Sequence, residues 1–359
     1  MKKTRLSLQC LPFVISVLLF WFVLCCRSED AEQCENNNKI TMSSSSSGNA
    51  VVFLQDQGIP RGEVESKLGD NGFKVFWQAV ESDSELSQTD ASEVSVLVTV
   101  NKAVDGGVLA KYPNAKVLAV AFTGYGVHDL EACSAAGVVV CNVPDYSSDS
   151  VAELAIGLTL AVYREIPAGN SLVRDGKWVL SPGGMELRGK TVGIAGTGTI
   201  GTRVAQLFKA FGCKVVGWSR SQNPKFLELG GSYVSREELF STSDVVSLHI
   251  PNNAQTRKMI GRADLERLRP SSVLINTARG QVVDEEALVD LLSQGKFRAG
   301  LDVFHAESAP AWASKVGQST VLMPHVAYKT KEALVRRLDI TVDNIRAALG
   351  GSPVNHVNK

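Results

Sequence analysis

The chain has 359 residues, of which 44% are hydrophobic and 21% are charged. This composition is ordinary for a globular protein and excludes a chain that is disordered, collagenous or coiled-coil throughout. The 37 basic residues balance 37 acidic ones, so no overall excess of positive charge points to nucleic acid. At roughly 150 residues per domain, the length predicts two domains.

The N-terminus differs from the rest of the chain. A basic start is followed by an apolar run at residues 11–26, a pattern typical of a secretory signal or a signal anchor. The run is short for a membrane-spanning helix, which needs about 20 residues. Alternatively, translation starts at Met42, just before a serine run. We expect a leader over residues 1–47. If translation starts at Met42, the protein should be cytoplasmic; if the apolar run is a targeting segment, the protein should be secreted or anchored in a membrane.

The cysteines argue against covalent or metal cross-links in the body of the protein. Four of the seven lie in the first 34 residues, and the others are Cys133, Cys141 and Cys213, without CxxC spacing. We therefore expect neither a disulfide framework nor a metal site. Free thiols favour a reducing compartment for this part of the chain.

From residue 50 onward, short apolar runs alternate with helical patterns, which indicates parallel βαβ units. Helices are predicted at 128–136, 151–166, 284–292 and 332–349. The second of these is apolar almost all round, so it should be buried in a core or a subunit interface. The predicted strands are 50–54, 95–100, 117–121, 138–141, 191–195, 214–218, 244–249, 272–276 and 298–302.

A GxGxxG loop follows the strand at 191–195 and opens a helix. Gly196 permits a tight turn, Gly198 lets a pyrophosphate approach the backbone, and Gly201 allows close packing of helix and strand. The N–H groups of Thr199 and Ile200 should face the phosphate at the helix N-terminus. The alternative is a glycine-rich turn without a ligand.

The end of the next strand bears on the choice of dinucleotide. An NAD site usually has a carboxylate here for the ribose 2′-hydroxyl, but this chain has Ser219, Arg220 and Ser221. The Arg220 guanidinium can pair with a 2′-phosphate, which favours NADPH over NADH. The alternative for Arg220 is a solvated surface arginine.

Three later segments carry a resemblance to a known family. They are residues 276–280 (NTARG), 300–307 (GLDVFHAE) and 323–327 (MPHVA). With the glycine-rich loop, their order and spacing resemble the D-isomer-specific 2-hydroxyacid dehydrogenases over nearly everything from about residue 50 to 350. Within that family, the presence of Ser219 and Arg220 makes the chain most similar to the NADPH-preferring hydroxypyruvate/glyoxylate reductases.

The resemblance implies an α/β fold of two Rossmann-like doubly wound domains. The NAD(P)-binding domain, expected over 152–325, is inserted into a substrate-binding domain made of 48–151 and 326–359. It also implies a homodimer formed through the cofactor domain, for which the helix at 151–166 is the candidate interface. No nucleic acid partner is expected.

The resemblance further implies an active site of Arg279, Glu307 and His325 for the reduction of a small 2-keto acid. Arg279 would clamp the substrate carboxylate and polarise its carbonyl, and His325 would donate the proton. Glu307 would favour the protonated form of His325. NADPH would be the preferred cofactor, with NADH also accepted.

Other site residues follow from the same resemblance. Thr277, Ala278 and Asp302 would line the cofactor, and the loop residues Phe122, Thr123 and Gly124 would hold the substrate carboxylate together with Arg279. Lys102 lies near this loop in the sequence, but we interpret it as a surface lysine.

The remaining histidines have simpler interpretations. His305 lies close to Glu307 and is the residue most easily mistaken for the acid. His249 ends a predicted strand and is interpreted as structural or cofactor-lining. His128 and His356 are expected at the surface.

Three departures from the family pattern leave the exact keto acid open. Ser308 stands where the family usually has a proline, and Gly126 where it often has an aspartate. Tyr328 comes just after Val326 and Ala327, the two positions that are usually small residues in the family.

Two alternative functions remain, an enzyme resembling phosphoglycerate dehydrogenase and a dinucleotide-sensing, corepressor-like binding protein. The complete set of Arg279, Glu307 and His325 disfavours the second, because a sensor needs no proton donor.

Overall fold

The computed structural model describes residues 50–78, 87–179, 183–306, 308–317 and 319–359. The predicted leader, with its apolar segment at 11–26, therefore lies outside the described residues. So does Glu307.

Among the described residues, the first sheet has five parallel strands in the order β2-β1-β3-β4-β5. Its central strands are buried completely, as expected for a parallel sheet covered by helices on both faces. The strands are β1 (Ala50–Phe53), β2 (Lys74–Trp77), β3 (Val94–Thr99), β4 (Val117–Val120) and β5 (Val139–Cys141). The helices of this region are α1 (Arg61–Gly69), α2 (Gln88–Glu93), α3 (Gly106–Leu109) and α4 (Leu130–Ala135).

Two helices follow the first sheet. Helix α5 (Ser148–Tyr163) covers most of the apolar stretch predicted at 151–166, and α6 (Ile166–Arg174) begins where that stretch ends. Helix α5 buries Val151, Ile156 and Val162 within this chain, which accounts for its apolar character. Across the described part of the chain, no helix combines the length and the apolar character needed to cross a membrane.

The second sheet has seven parallel strands within the described residues, in the order β12-β11-β10-β9-β6-β7-β8. They are β6 (Thr191–Ala195), β7 (Lys214–Trp218), β8 (Ser232–Tyr233), β9 (Val245–Leu248), β10 (Val273–Asn276), β11 (Arg298–Leu301) and β12 (Thr320–Leu322). The helices between them are α7 (Thr199–Ala210), α8 (Pro224–Glu228), α9 (Arg236–Thr242), α10 (Arg262–Leu265) and α11 (Glu285–Ser293). Strand order reverses between β6 and β9, and in open parallel sheets ligands bind outside the carboxyl ends at such a reversal.

The last helix, α12 (Lys331–Leu349), follows the second sheet in sequence but packs on the first. Its Leu334, Leu338 and Val342 share one buried cluster with Val51 and Phe53 of β1. One α/β unit is therefore inserted into another, which confirms the predicted fold class. The bounds of the two domains, at about residues 151 and 326, remain predictions.

Candidate active site

The glycine-rich loop closes the carboxyl end of β6 as a tight turn. Gly196 has a positive φ of 96°, and a Cβ built there would lie 2.5 Å from the carbonyl oxygen of His249. A Cβ on Gly201 would lie 1.9 Å from the carbonyl oxygen of Gly196. Only glycine fits either position, because the loop, β9 and α7 pack backbone against backbone here.

Gly198 has a different reason to be glycine. A Cβ there would meet no atom within 4 Å, so the space beside it is open. Gly198 caps α7, and the N–H groups of Thr199 and Ile200 have no acceptor within the described part of the chain. Open space beside unpaired N–H groups at a helix N-terminus suits an anion. The residues present therefore fit the pyrophosphate of a dinucleotide.

The segment after β7 carries Ser219, Arg220 and Ser221. Ser219 is half-buried, whereas Arg220 and Ser221 are exposed. Within the described residues, no carboxylate forms an ion pair with Arg220. Its guanidinium is thus available to an anionic ligand.

The cofactor residues predicted after β10 lie in an ordered turn. The Asn276 side chain accepts the N–H of Ala278 (3.0 Å) and donates to the carbonyl oxygen of Arg279 (3.0 Å). Thr277 is buried, and its hydroxyl oxygen has no partner among the described residues, so it can serve a ligand. We did not predict a role for Asn276, although an asparagine at a strand end is a common turn signal.

Asp302 is fully buried at the end of β11. Its carboxylate accepts the N–H groups of Val326 (2.9 Å) and Ala327 (2.8 Å), and its carbonyl oxygen accepts the N–H of His325 (2.8 Å). Asp302 therefore holds the backbone around His325, in addition to the cofactor contact predicted for it.

Arg279 reaches from the second sheet to the loop that follows β4. Its guanidinium carbon lies 5.4 Å from the ring centre of Phe122, and Nη1 donates to the carbonyl oxygen of Ala278 (2.6 Å). A Cβ on Gly124 would lie 3.2 Å from Nη2 of Arg279. The guanidinium thus lies directly against the predicted substrate loop.

Hydrogen bonds to residues 142 and 143 fix the predicted substrate loop. The Thr123 hydroxyl donates to the carbonyl oxygen of Val143 (3.0 Å), and the Asn142 side chain donates to the carbonyl oxygen of Thr123 (2.8 Å). Gly124 is exposed, and its N–H has no acceptor among the residues that the structure describes. An N–H group beside Arg279 is suited to binding a carboxylate.

His325 has a positive φ of 53° and is half-buried. Its ring meets that of Tyr328 edge-on at 5.5 Å, and Tyr328 meets Phe122 edge-on at 5.5 Å. Because Arg279 stacks on the same Phe122, one row of aromatic contacts links His325 to Arg279. The structure therefore brings the substrate loop, Arg279 and His325 together, while Glu307 lies outside the described residues.

A cavity of about 320 Å³ opens beside His325. Its wall consists mainly of small and apolar side chains, among them Ala306, Ala309 and Met323, together with Ser308. Ser308, which stands where the family usually has a proline, thus forms part of the wall of this cavity.

Two histidines near the site are engaged with the protein. His305 places Nε2 3.2 Å from the carbonyl oxygen of Val283. His249 lies beside Gly196, its Nε2 is 2.9 Å from the hydroxyl oxygen of Ser247, and burial lowers its pKa to about 3. A neutral His249 suits the lining role predicted for it.

The prediction of a surface position is wrong for His128. Its side chain is only 7% exposed, and both ring nitrogens lack partners in the described residues. Burial lowers its pKa to about 4. His356 is half-buried and its backbone forms an isolated antiparallel β-bridge with Cys141, whereas Lys102 is exposed as predicted.

The described residues hold no group of three His, Cys, Asp or Glu side chains arranged to bind a metal ion. Cys133, Cys141 and Cys213 are free thiols and are buried, and burial raises the pKa of each.

Comparisons with known proteins show the family to which this chain is similar. The family model described as "D-isomer specific 2-hydroxyacid dehydrogenase, NAD binding domain" matches residues 156–327, which supports a nicotinamide dinucleotide as the cofactor. The glyoxylate reductase of Thermococcus litoralis is 39% identical over 281 residues, which cover 74% of this chain and 84% of the relative. The hydroxypyruvate reductase of Blautia hydrogenotrophica is 32% identical over 325 residues, which cover 86% of this chain and 99% of the relative.

A solved structure is similar over a comparable length. The D-lactate dehydrogenase of Aquifex aeolicus, complexed with NAD and lactic acid, matches with a TM-score of 0.73 and 28% identity, covering 84% of this chain and 96% of that one.

Proposed function

The chain belongs to the D-isomer-specific 2-hydroxyacid dehydrogenase family, and on that premise we propose that it reduces hydroxypyruvate or glyoxylate with NADPH to the corresponding 2-hydroxy acid, which has the D configuration when hydroxypyruvate is the substrate. The contact between Arg279 and the loop at Gly124 carries this proposal. It places a guanidinium and an unpaired backbone N–H side by side, as a small 2-keto carboxylate requires. Relatives named glyoxylate reductase and hydroxypyruvate reductase support this choice of substrate.

Arg279 has two tasks in the proposed reaction. Its guanidinium binds the substrate carboxylate and polarises the adjacent carbonyl, which stabilises the negative charge that develops on the oxygen. Phe122 and the carbonyl oxygen of Ala278 hold the guanidinium in place before the substrate arrives. When bound, the reduced nicotinamide supplies the hydride.

His325 is the proposed proton donor to the developing alkoxide, because histidine is the side chain that most often acts as a general acid or base in enzymes. Asp302 orients the backbone next to His325, because its carboxylate accepts the N–H groups of Val326 and Ala327. Glu307 is the proposed partner that favours the protonated ring.

The proposed cofactor contacts use the loop and strand ends of the second sheet. Gly196, Gly198 and Gly201 shape the pyrophosphate site, where Thr199 and Ile200 donate. Thr277, Ala278 and Asp302 lie at the nicotinamide end. Ser219, Arg220 and Ser221 would bind the 2′-phosphate of NADPH; an available Arg220 and the absence of a carboxylate from this segment support that choice.

The experiment follows NADPH oxidation with hydroxypyruvate, glyoxylate, pyruvate and 3-phosphohydroxypyruvate. We expect the first two to be the best substrates and His325→Ala to lose at least 100-fold in kcat. His305→Ala is the matched control and should retain activity. A preference for the phosphorylated acid favours a phosphoglycerate-type enzyme instead, and NADPH binding without turnover of any acid favours a sensor.

The cofactor proposal has its own variant. Arg220→Ala should lower the preference for NADPH over NADH at least tenfold. An unchanged ratio contradicts the proposed role of Arg220.

We further propose a homodimer formed through the cofactor domain of residues 152–325. Helix α6 has no buried residue: its Ile166 and Val173 are exposed, and so is Val179 a few residues after it. Trp178 is 86% exposed. Exposed apolar patches of this kind mark interaction surfaces, and in a homo-oligomer a second copy covers the same patch.

A further inference from the structure

A cluster of side chains joins the glycine-rich loop to the segment that follows β7. The hydroxyl groups of Thr197 and Tyr233 lie 2.6 Å apart, and the Tyr233 hydroxyl also accepts the backbone N–H of Asn223 (2.8 Å). The Asn223 side chain donates to the carbonyl oxygen of Thr197 (2.8 Å). None of these three residues was singled out by the sequence.

These contacts tie both ends of the segment 219–222 to the loop. At one end, the N–H of Gly196 donates to the carbonyl oxygen of Trp218 (2.8 Å). At the other end, Asn223 bonds to Thr197 directly and through Tyr233. The position of Ser219 and Arg220 relative to the loop therefore depends on this cluster.

The cluster also orients the loop itself. Asn223 and the Thr202 hydroxyl (3.1 Å) both donate to the carbonyl oxygen of Thr197. In a trans peptide the following N–H points opposite to the carbonyl, so the N–H of Gly198 points away from Asn223. The bonds thus hold one more backbone donor toward the open side of the loop.

The packing around the cluster leaves little freedom. The Tyr233 and Phe226 ring centres lie 5.2 Å apart, and Phe226 is fully buried. A Cβ on Gly217 would lie 2.8 Å from the Phe226 ring and 2.9 Å from the methyl group of Thr197. Removing the Tyr233 hydroxyl alone would leave this apolar packing in place.

We propose that Tyr233 and Asn223 are positioning residues for the dinucleotide, holding the phosphate-binding loop and the Ser219–Arg220 segment in one geometry. The site they serve recognises two anionic parts of the cofactor, the pyrophosphate and the ribose 2′-phosphate. The inference rests on the proposed use of NADPH. It assigns these residues to binding and not to the chemical step.

The test uses Tyr233→Phe and Asn223→Asp in the full chain. The first removes only the shared hydroxyl; the second keeps an acceptor for the N–H of Lys225 but removes the donor to Thr197. We expect each to raise the Kd of NADPH and of 2′,5′-ADP about fivefold or more. In Tyr233→Phe, kcat at saturating NADPH should stay within about twofold of wild type. Affinity for 5′-AMP, which lacks the 2′-phosphate, should change less.

Tyr112→Phe is the matched control, because its hydroxyl bonds to Gln78, which directly follows β2 of the first sheet. It should leave the Kd of both ligands unchanged. Wild-type affinity in both test variants overturns the proposal. A loss of kcat that parallels the loss of NADPH affinity also overturns the proposal. The same holds if the melting temperature of the ligand-free variant falls enough to explain the weaker binding. Because 2′,5′-ADP binding needs no turnover, a wild type inactive on every keto acid would show separately that the proposed function fails.

Discussion

His325 donates its backbone N–H to the carbonyl oxygen of Asp302 over 2.8 Å. The carboxylate of the same aspartate accepts the next two backbone N–H groups of the chain. Three hydrogen bonds from one buried residue therefore support a left-handed backbone conformation at the proposed acid, which a non-glycine residue seldom adopts.

Asp302→Asn should weaken this support. One carboxylate oxygen becomes an NH₂ group that faces a backbone N–H, so a buried donor loses its acceptor. We expect kcat to fall at least tenfold and the free energy of unfolding to fall by about 2 kcal/mol. Steady-state kinetics and urea unfolding measure the two effects. The exposed Asp343→Asn on α12 should change neither, and wild-type kinetics in Asp302→Asn contradicts the role.

Gly124→Ala should act on the substrate and leave the cofactor alone. The new methyl group would lie 3.2 Å from Nη2 of Arg279, so the guanidinium must move. We expect the KM of the keto acid to rise about tenfold with an unchanged Kd for NADPH. Gly126→Ala, where a Cβ meets nothing within 4 Å, is the control two residues away. Equal KM values in the two variants would show that the contact does not matter.

Gly198→Ala and Gly201→Ala should fail in different ways. The Gly198 methyl enters open space, so the ligand-free protein should keep its melting temperature while NADPH binds at least tenfold more weakly. The Gly201 methyl would overlap the carbonyl oxygen of Gly196, so that variant should unfold at lower temperature. Thermal melts and titrations separate the two. Tight NADPH binding by Gly198→Ala would contradict the assignment of the open space.

His128 should make the protein less stable in acid. Its pKa is about 4 in the folded protein but 6.5 in an unfolded chain. Below pH 6.5 the unfolded state therefore binds more protons, and stability falls as the pH drops toward 4. His128→Leu should remove this loss, so its stability advantage over wild type should grow by about 2 kcal/mol between pH 7.5 and pH 5. Urea unfolding at both pH values measures this difference in the free energy of unfolding, with His356→Gln as the control. A difference between His128→Leu and wild type that does not vary with pH contradicts the lowered pKa of His128.

Trp178→Ser should shift the proposed dimer toward monomer, because the side chain most exposed beside α6 would no longer be covered by the second copy. Sedimentation over a range of concentrations measures the change in the dimer dissociation constant. Val354→Ser removes an exposed apolar side chain near the C-terminus and should leave it unchanged. Equal dissociation constants would place the interface elsewhere.

Regular patterns in the sequence predicted the long elements well. The strands at 191–195 and 214–218 were predicted with the bounds that the structure has, because β-branched runs between turn signals are local features. Strands β2, β8 and β12 were not predicted. Each has two to four residues and lies toward a sheet edge, too short for a period to be readable.

The glycine-rich loop was predicted from its motif between a strand and a helix, whereas Arg279 and His325 were predicted through the resemblance to the family. Contacts between distant segments could not be read in the same way. The fit of Arg279 against Gly124, the burial of His128 and the bonds from Tyr233 to Thr197 all join residues that are far apart in the chain. Such contacts depend on how two sheets and their loops pack in space, and side-chain packing of that kind has no period along the sequence.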